Sequence, residues 1–162
     1  MSKYLDHVRR ENARRAQNDV GRTKAPKTRK GLKRHSKSPI AKIQELLWIE
    51  CKRIIRGRYG NTCYTCGKTG LSGSSWQTGH FIPSSVGGAS LRYHLNNLRP
   101  QCFRCNIDLS GNGAIFYKLL VEREGQKYVD DLFLLKGNVV KALDHYTKLL
   151  EEYKGVDNPL VQ

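Results

Sequence analysis

Cys63-Tyr64-Thr65-Cys66-Gly67 opens a stretch that closes on Cys102-Phe103-Arg104-Cys105-Asn106, with 35 residues between Cys66 and Cys102. Between the two pairs lie Thr78-Gly79-His80-Phe81-Ile82 and Asn96-Asn97-Leu98. A Cys-x-x-Cys step sets two thiolates on one tight turn, near enough to share an ion. Gly67 lets the backbone curl so that amide hydrogens face the sulfurs. A second such pair at a helix start fills all four positions of a tetrahedral site and leaves none for substrate. The spacing therefore predicts a structural Zn2+ on Cys63, Cys66, Cys102 and Cys105, tying a strand region to the helix after Cys105. The rival reading, a redox pair, usually involves a single Cys-x-x-Cys.

Outward from this frame, residues 61–75 are rich in turn formers, and Trp76–Ile82 alternates as one short strand. Pro83 to Ser90, with Gly87-Gly88, reads as a loop, and a short helix is expected from Cys105 to about Leu109, broken near Gly111. Upstream, Ser38-Pro39 supplies a cap and a first-turn proline. Ile40, Ile43, Leu47, Cys51 and Ile54 follow at three- and four-residue spacing, so an amphipathic helix of about five turns should run to Gly57 and Gly60. Cys51, the fifth cysteine, falls on its apolar face as an inert core residue. Downstream, helices are expected over about 113–124, 126–135 and 138–153, separated by Gly125 and Gly137. The fold class is α+β: a small zinc-stapled core (61–112) between an N-terminal helix (39–59) and a helical C-terminal part (113–155), one domain over 39–155, with a tail at 156–162.

The chain carries 29 Lys and Arg against 14 Asp and Glu, a net +15. Residues 1–42 hold 14 basic and 3 acidic residues, leaving 15 and 11 for the remainder, so +11 of the charge sits in the first quarter. Residues 1–38 read as a basic arm that cannot bury enough apolar surface to fold alone. Lys24, Lys27, Arg29, Lys30, Lys33 and Arg34 in it would order along a phosphate backbone. Six such contacts imply a log–log salt slope of roughly −5 in affinity. No apolar run approaches a membrane span and the arm has no Trp or Phe to insert, so a cytoplasmic protein with a nucleic-acid partner and no membrane contact is expected.

Three residues inside the frame suit hydrolytic chemistry. His80, on the strand, can take a proton from water near neutral pH. Asn106 would begin the helix with its side-chain oxygen available to a hard cation such as Mg2+. Asn97 would hydrogen-bond the loop backbone and hold His80 in place.

In order, Cys63, Cys66, His80, Asn97, Cys102, Cys105 and Asn106 resemble the zinc-framed HNH, or ββα-metal, nucleases. Thr78-Gly79-His80-Phe81, Leu91-Arg92-Tyr93, Asn97-Leu98-Arg99-Pro100-Gln101-Cys102, Cys105-Asn106 and Ser110-Gly111-Asn112 narrow the resemblance to the phage NinG (Rap) recombination endonucleases, over about residues 60–135. That resemblance implies a DNA endonuclease, in the bacterial host cytoplasm if phage-encoded, acting on branched intermediates such as D-loops and Holliday junctions. His80 would be the general base, and Mg2+ or Mn2+ the catalytic ion on Asn106. A homodimer is expected, because opposed nicks need two centres. Two positions depart from the pattern: Gly79 stands where many HNH enzymes carry an Asp or His ligand, and Gln77 where NinG proteins can carry Asp. Asp108 is the candidate replacement carboxylate, and Arg92 and Arg99 are candidate phosphate grips. The alternatives are a zinc-stapled module that binds DNA, or RNA, without cutting it.

Overall fold

A computed structural model of the chain describes residues 37–137 and 143–156. The basic residues expected at 24–34, and 138–142 within the third C-terminal helix, lie outside them.

Helix α1, Pro39–Tyr59, begins where the sequence places it. Ser38 Oγ accepts from Ala41 N at 3.3 Å, Pro39 sits in the first turn, and Gly60 takes φ 66° to end the helix. Leu47, Cys51, Ile54 and Ile55 on its inner face are fully buried, each worth about 1.5–3 kcal/mol of apolar burial for the larger side chains. Cys51 donates its thiol hydrogen to Tyr93 O at 3.6 Å, and burial pushes it up to about 12, the inert core cysteine expected.

Strand β1 is Trp76–His80, two residues shorter than the alternation suggested. It pairs antiparallel with β2, Leu98–Cys102, in the register Trp76↔Cys102, Gln77↔Gln101, Thr78↔Pro100, Gly79↔Arg99 and His80↔Leu98. A two-stranded sheet has only edges, so Pro100 can stand mid-strand, and its carbonyl takes Tyr64 N at 2.7 Å. Between the strands, Ser84–Arg92 forms helix α2 instead of the loop expected at 83–90, bent at Gly88 (φ 74°). Gly87 explains how a glycine pair serves a helix: a Cβ there would meet Leu91 Cβ at 2.9 Å, so its absence lets the bent helix fold its own Leu91, and Ile82 before it, against Gly87. After β2, Arg104–Asp108 is a single π-turn rather than a regular helix.

Helices α3 (Gly113–Glu124) and α4 (Gln126–Leu134) flank Gly125 at φ 91°, and α5 runs Leu143–Lys154. α5 packs along α1 through Tyr146, Leu150 and Tyr153. Arg53 clips its end, donating to Tyr153 O at 2.8 Å and Val156 O at 3.1 Å and so satisfying late carbonyls. The main core gathers α1, α5, Leu71, Trp76, Tyr93, Leu98 and the buried cysteines. Two smaller clusters, around Phe116–Leu120–Val129 and Ile82–Leu91–Leu132, seat α3 and α4 against the other side of the sheet region.

Candidate active site

The four knuckle cysteines converge: all their Sγ atoms lie within 4.8 Å of one another, and none is in a disulfide. Zn–S bonds of 2.3 Å in a tetrahedron set sulfurs about 3.8 Å apart. Cys66 Sγ and Cys102 Sγ stand at 3.8 Å. Donors already point at the sulfurs: Cys105 N to Cys102 Sγ at 3.4 Å, Thr65 Oγ1 beside Cys63 Sγ at 3.4 Å, and Asn112 Nδ2 to Cys105 Sγ at 3.9 Å. Burial raises the Cys63 thiol, but hydrogen bonds from Thr65 and from the backbone of Cys102, Cys66 and Thr65 outweigh it and bring it to about 6. Burial and the neighbouring thiols push Cys66 up to about 12, and burial raises Cys102, so the four share their protons until an ion takes all of them as thiolates. The donor set fits the ion.

His80 ends β1 one strand-length from Cys102. Its ring lies flat on Trp48 of α1, with centroids 5.3 Å apart and planes 2° from parallel. Its Nε2 is 3.0 Å from Arg92 O. A carbonyl can only accept, so Nε2 carries the proton of the neutral ring and Nδ1 keeps a free lone pair. Burial lowers the imidazole pKa, opposed by the bond to Arg92 O and reinforced by the Arg92 charge. The ring is half-buried rather than enclosed. Trp48, which the helical spacing marks only as part of a core helix, is the contact sequence reasoning missed.

Asn97 is fully buried and bonds the loop backbone: Oδ1 accepts from Ile82 N at 2.8 Å, while Nδ2 donates to Ile82 O at 2.9 Å and Leu91 O at 3.0 Å. It closes the loop that leaves His80, and its own carbonyl takes Phe81 N at 2.9 Å. Asn106 is half-buried in the π-turn, and its carbonyl accepts Gly111 N at 3.0 Å. The space above Gly111 reaches His80 O at 3.8 Å, so the turn that follows Asn106 lies against the His80 backbone. Ser110, Gly111 and Asn112 all take positive φ there, which concentrates backbone strain beside the site.

Arg99 corrects the expectation of a phosphate grip. It is 1% exposed, and its guanidinium donates to Asn96 O, Leu98 O, Tyr128 Oη and Glu124 Oε1 beneath the rings of Tyr59 and Tyr64. Every approach by a phosphate is blocked, so Arg99 is an internal brace. Arg92 is exposed and free at its tip apart from Tyr93, 5.6 Å below. With Lys37, Gln44, Glu45, Trp48 and Tyr93 it lines a groove beside the His80 stack. Asp108 is exposed and lines a hollow with Cys66, Lys68, Cys102 and Arg104, against the cysteine cluster.

The family model described as Bacteriophage Lambda NinG protein matches residues 2–159. The chain belongs to the NinG family. Among its relatives, the proteins named ninG of Escherichia phage lambda and of Salmonella phage P22 are each 33% identical over 70 residues, 43% of this chain and 33% of theirs. The matched stretch thus spans about a third of those relatives' length. No solved structure matches. In this NinG-family chain, no described helix is long and apolar enough to cross a membrane.

Proposed function

We propose that this chain is a metal-dependent, structure-selective DNA endonuclease of HNH type, acting on branched intermediates such as D-loops and Holliday junctions. The observation that carries the reading is His80: a neutral, half-buried imidazole with Nε2 engaged by Arg92 O and Nδ1 unengaged, inside a four-cysteine frame. Nδ1 takes a proton from a water molecule as that water attacks phosphorus in line, and the 3′ oxygen leaves. Arg92, at the rim, offers a forked donor to an adjoining phosphate. Asn106 would hold the catalytic cation through its amide oxygen, and Asp108, which lines the hollow against the cysteines, would be the nearest carboxylate in sequence; Mg2+ or Mn2+ commonly uses few protein ligands and completes its shell with water and phosphate oxygens. When bound, such a cation supplies charge stabilisation at the phosphoryl and leaving oxygens. The fully occupied sulfur site takes no part in bond breaking.

One observation favours a second reading, a module that grips DNA without cutting. Gly79 brings no ligand beside His80, and its side-chain space is already occupied by Gln101. Titrating Mg2+, Mn2+ or Ni2+ over branched DNA separates the two. Nicking that disappears in His80→Ala supports the nuclease; binding without nicking in all three metals supports the module, and preference for structured RNA in competition moves the substrate class. The homodimer follows from paired nicks and is tested by light scattering, free and on DNA.

A further inference from the structure

Gln101 is the penultimate residue of β2, fully buried and opposite Gln77. Its side chain leans over Gly79: a Cβ on Gly79 would lie 2.0 Å from Gln101 Oε1, 2.6 Å from Cδ and 2.9 Å from Cγ. Only glycine fits at 79 while Gln101 holds its place. At its other corner, Nε2 donates to Gly111 O at 2.8 Å and Thr65 Oγ1 at 3.2 Å. Thr65 Oγ1 in turn stands against Cys63 Sγ. Gly111 binds back through its N–H to the carbonyls of Cys105 and Asn106, both at 3.0 Å, and faces His80 O. One side chain therefore touches the first zinc knuckle, the strand that carries His80 and the turn anchored on Asn106.

The arrangement carries a cost. Gln101 Oε1 is buried with no partner, and an unsatisfied buried acceptor is destabilising. A leucine of similar volume would avoid that loss but would strip Gly111 O and Thr65 Oγ1 of their Gln101 donor. The amide is what joins the three segments.

We propose that Gln101 is a positioning residue, the strut by which the zinc knuckle sets His80 and the Asn106 turn at a fixed separation. The inference rests on the nuclease reading of His80 and Asn106, and its test separates the two. In the full zinc-loaded chain, Gln101→Leu, Gly79→Ala, Gln101→Ala and the Gly79→Ala/Gln101→Ala double variant are compared by zinc content, melting temperature, nicking of branched DNA and the ring NMR signals of His80. Gln101→Leu is expected to keep its zinc and stay folded at the assay temperature, with a melting temperature lowered by the lost bonds to Gly111 O and Thr65 Oγ1. Its kcat should nevertheless fall by at least about tenfold with KM within about twofold, because misplacing a reacting group by about 1 Å costs up to about a hundredfold. Gly79→Ala should be impaired in the parent yet cost nothing further in the Gln101→Ala background. A Gln101→Leu variant that nicks at the parent rate, or Gly79→Ala losses that simply add, overturns the strut. If the parent itself nicks no branched DNA, the nuclease reading falls, and the His80 ring signals decide the strut: sharp in the parent and broadened or split in Gln101→Leu if it holds, unchanged if it does not.

Discussion

Trp48 and His80 stack ring on ring, 5.3 Å apart and 2° from parallel, although 31 residues separate them in the chain. The stack joins α1 to the end of β1 and leaves the imidazole one lateral restraint besides Arg92 O. An aromatic pair of this kind contributes about 0.5–1.5 kcal/mol beyond its buried area. In single-turnover nicking, Trp48→Ala should therefore lose roughly two- to tenfold, and Trp48→Phe, which keeps a flat face, should recover most of it. A Trp48→Ala enzyme at the parent rate would show that Arg92 O alone orients the base.

The nicking rate should rise with pH to a plateau, with its acid limb below the ordinary histidine value of 6.5, because burial first, and then the Arg92 charge, hold the ring neutral. The sign for stability is the same. Below 6.5 the unfolded chain binds a proton at His80 that the folded chain resists, so stability falls as pH drops through that window. His94, lowered by burial, adds a contribution of equal sign, so the difference between the parent and His80→Gln isolates His80. His80→Ala should lose about 10²–10⁴ in rate, and the acid limb should vanish with it. An acid limb that persists in the variant assigns the proton transfer elsewhere.

What the sequence made legible here was periodic or spaced. α1 shows apolar residues at three and four behind Ser38-Pro39, and the cysteines carry their own spacing. β2 does not: Leu98-Arg99-Pro100-Gln101-Cys102 has no alternation because all five residues are buried, Arg99 and Gln101 bonding to partners from distant segments. Arg99 looked like a surface cation since nothing local announces that Tyr59, Tyr64 and Tyr128 will enclose it. α2 was hidden by Gly87-Gly88, where one glycine packs and the other bends. Of the site, His80 and Asn97 were readable as types in order. Trp48 and Gln101 act through contacts that only the fold creates.

Metal removal should unfold the core rather than only silence it. Structural zinc contributes on the order of 10 kcal/mol or more of folding free energy in small sites. Cys66→Ser or Cys105→Ser should lose the ion, which is expected at one per chain, and the cooperative melt together. Cys51→Ser should keep both. Alkylation offers an independent check: the native zinc-loaded chain should resist modification at all five cysteines, four held by the ion and Cys51 by burial and a thiol pushed up to about 12. Prompt labelling at Cys63 or Cys66 in zinc-loaded protein would mean that the thiolates share no ion.

The two arginines of the site region should part company under mutation. Arg99→Ala leaves two backbone carbonyls and Tyr128 without their donor at a position 1% exposed, and each buried group so orphaned costs about 1–3 kcal/mol, whereas Glu124, exposed to solvent, adds little. Its signature is a lower melting temperature. Arg92→Ala removes an exposed side chain and should leave the melt unchanged, because the carbonyl that holds His80 is backbone and survives the substitution. Instead it should weaken branched-DNA binding and lower the salt slope by about 1, the loss of one phosphate contact. A destabilised Arg92→Ala with an unaltered salt slope would make Arg92 a structural residue, and the phosphate grip would then have to be sought along the Lys52–Arg56 face of α1.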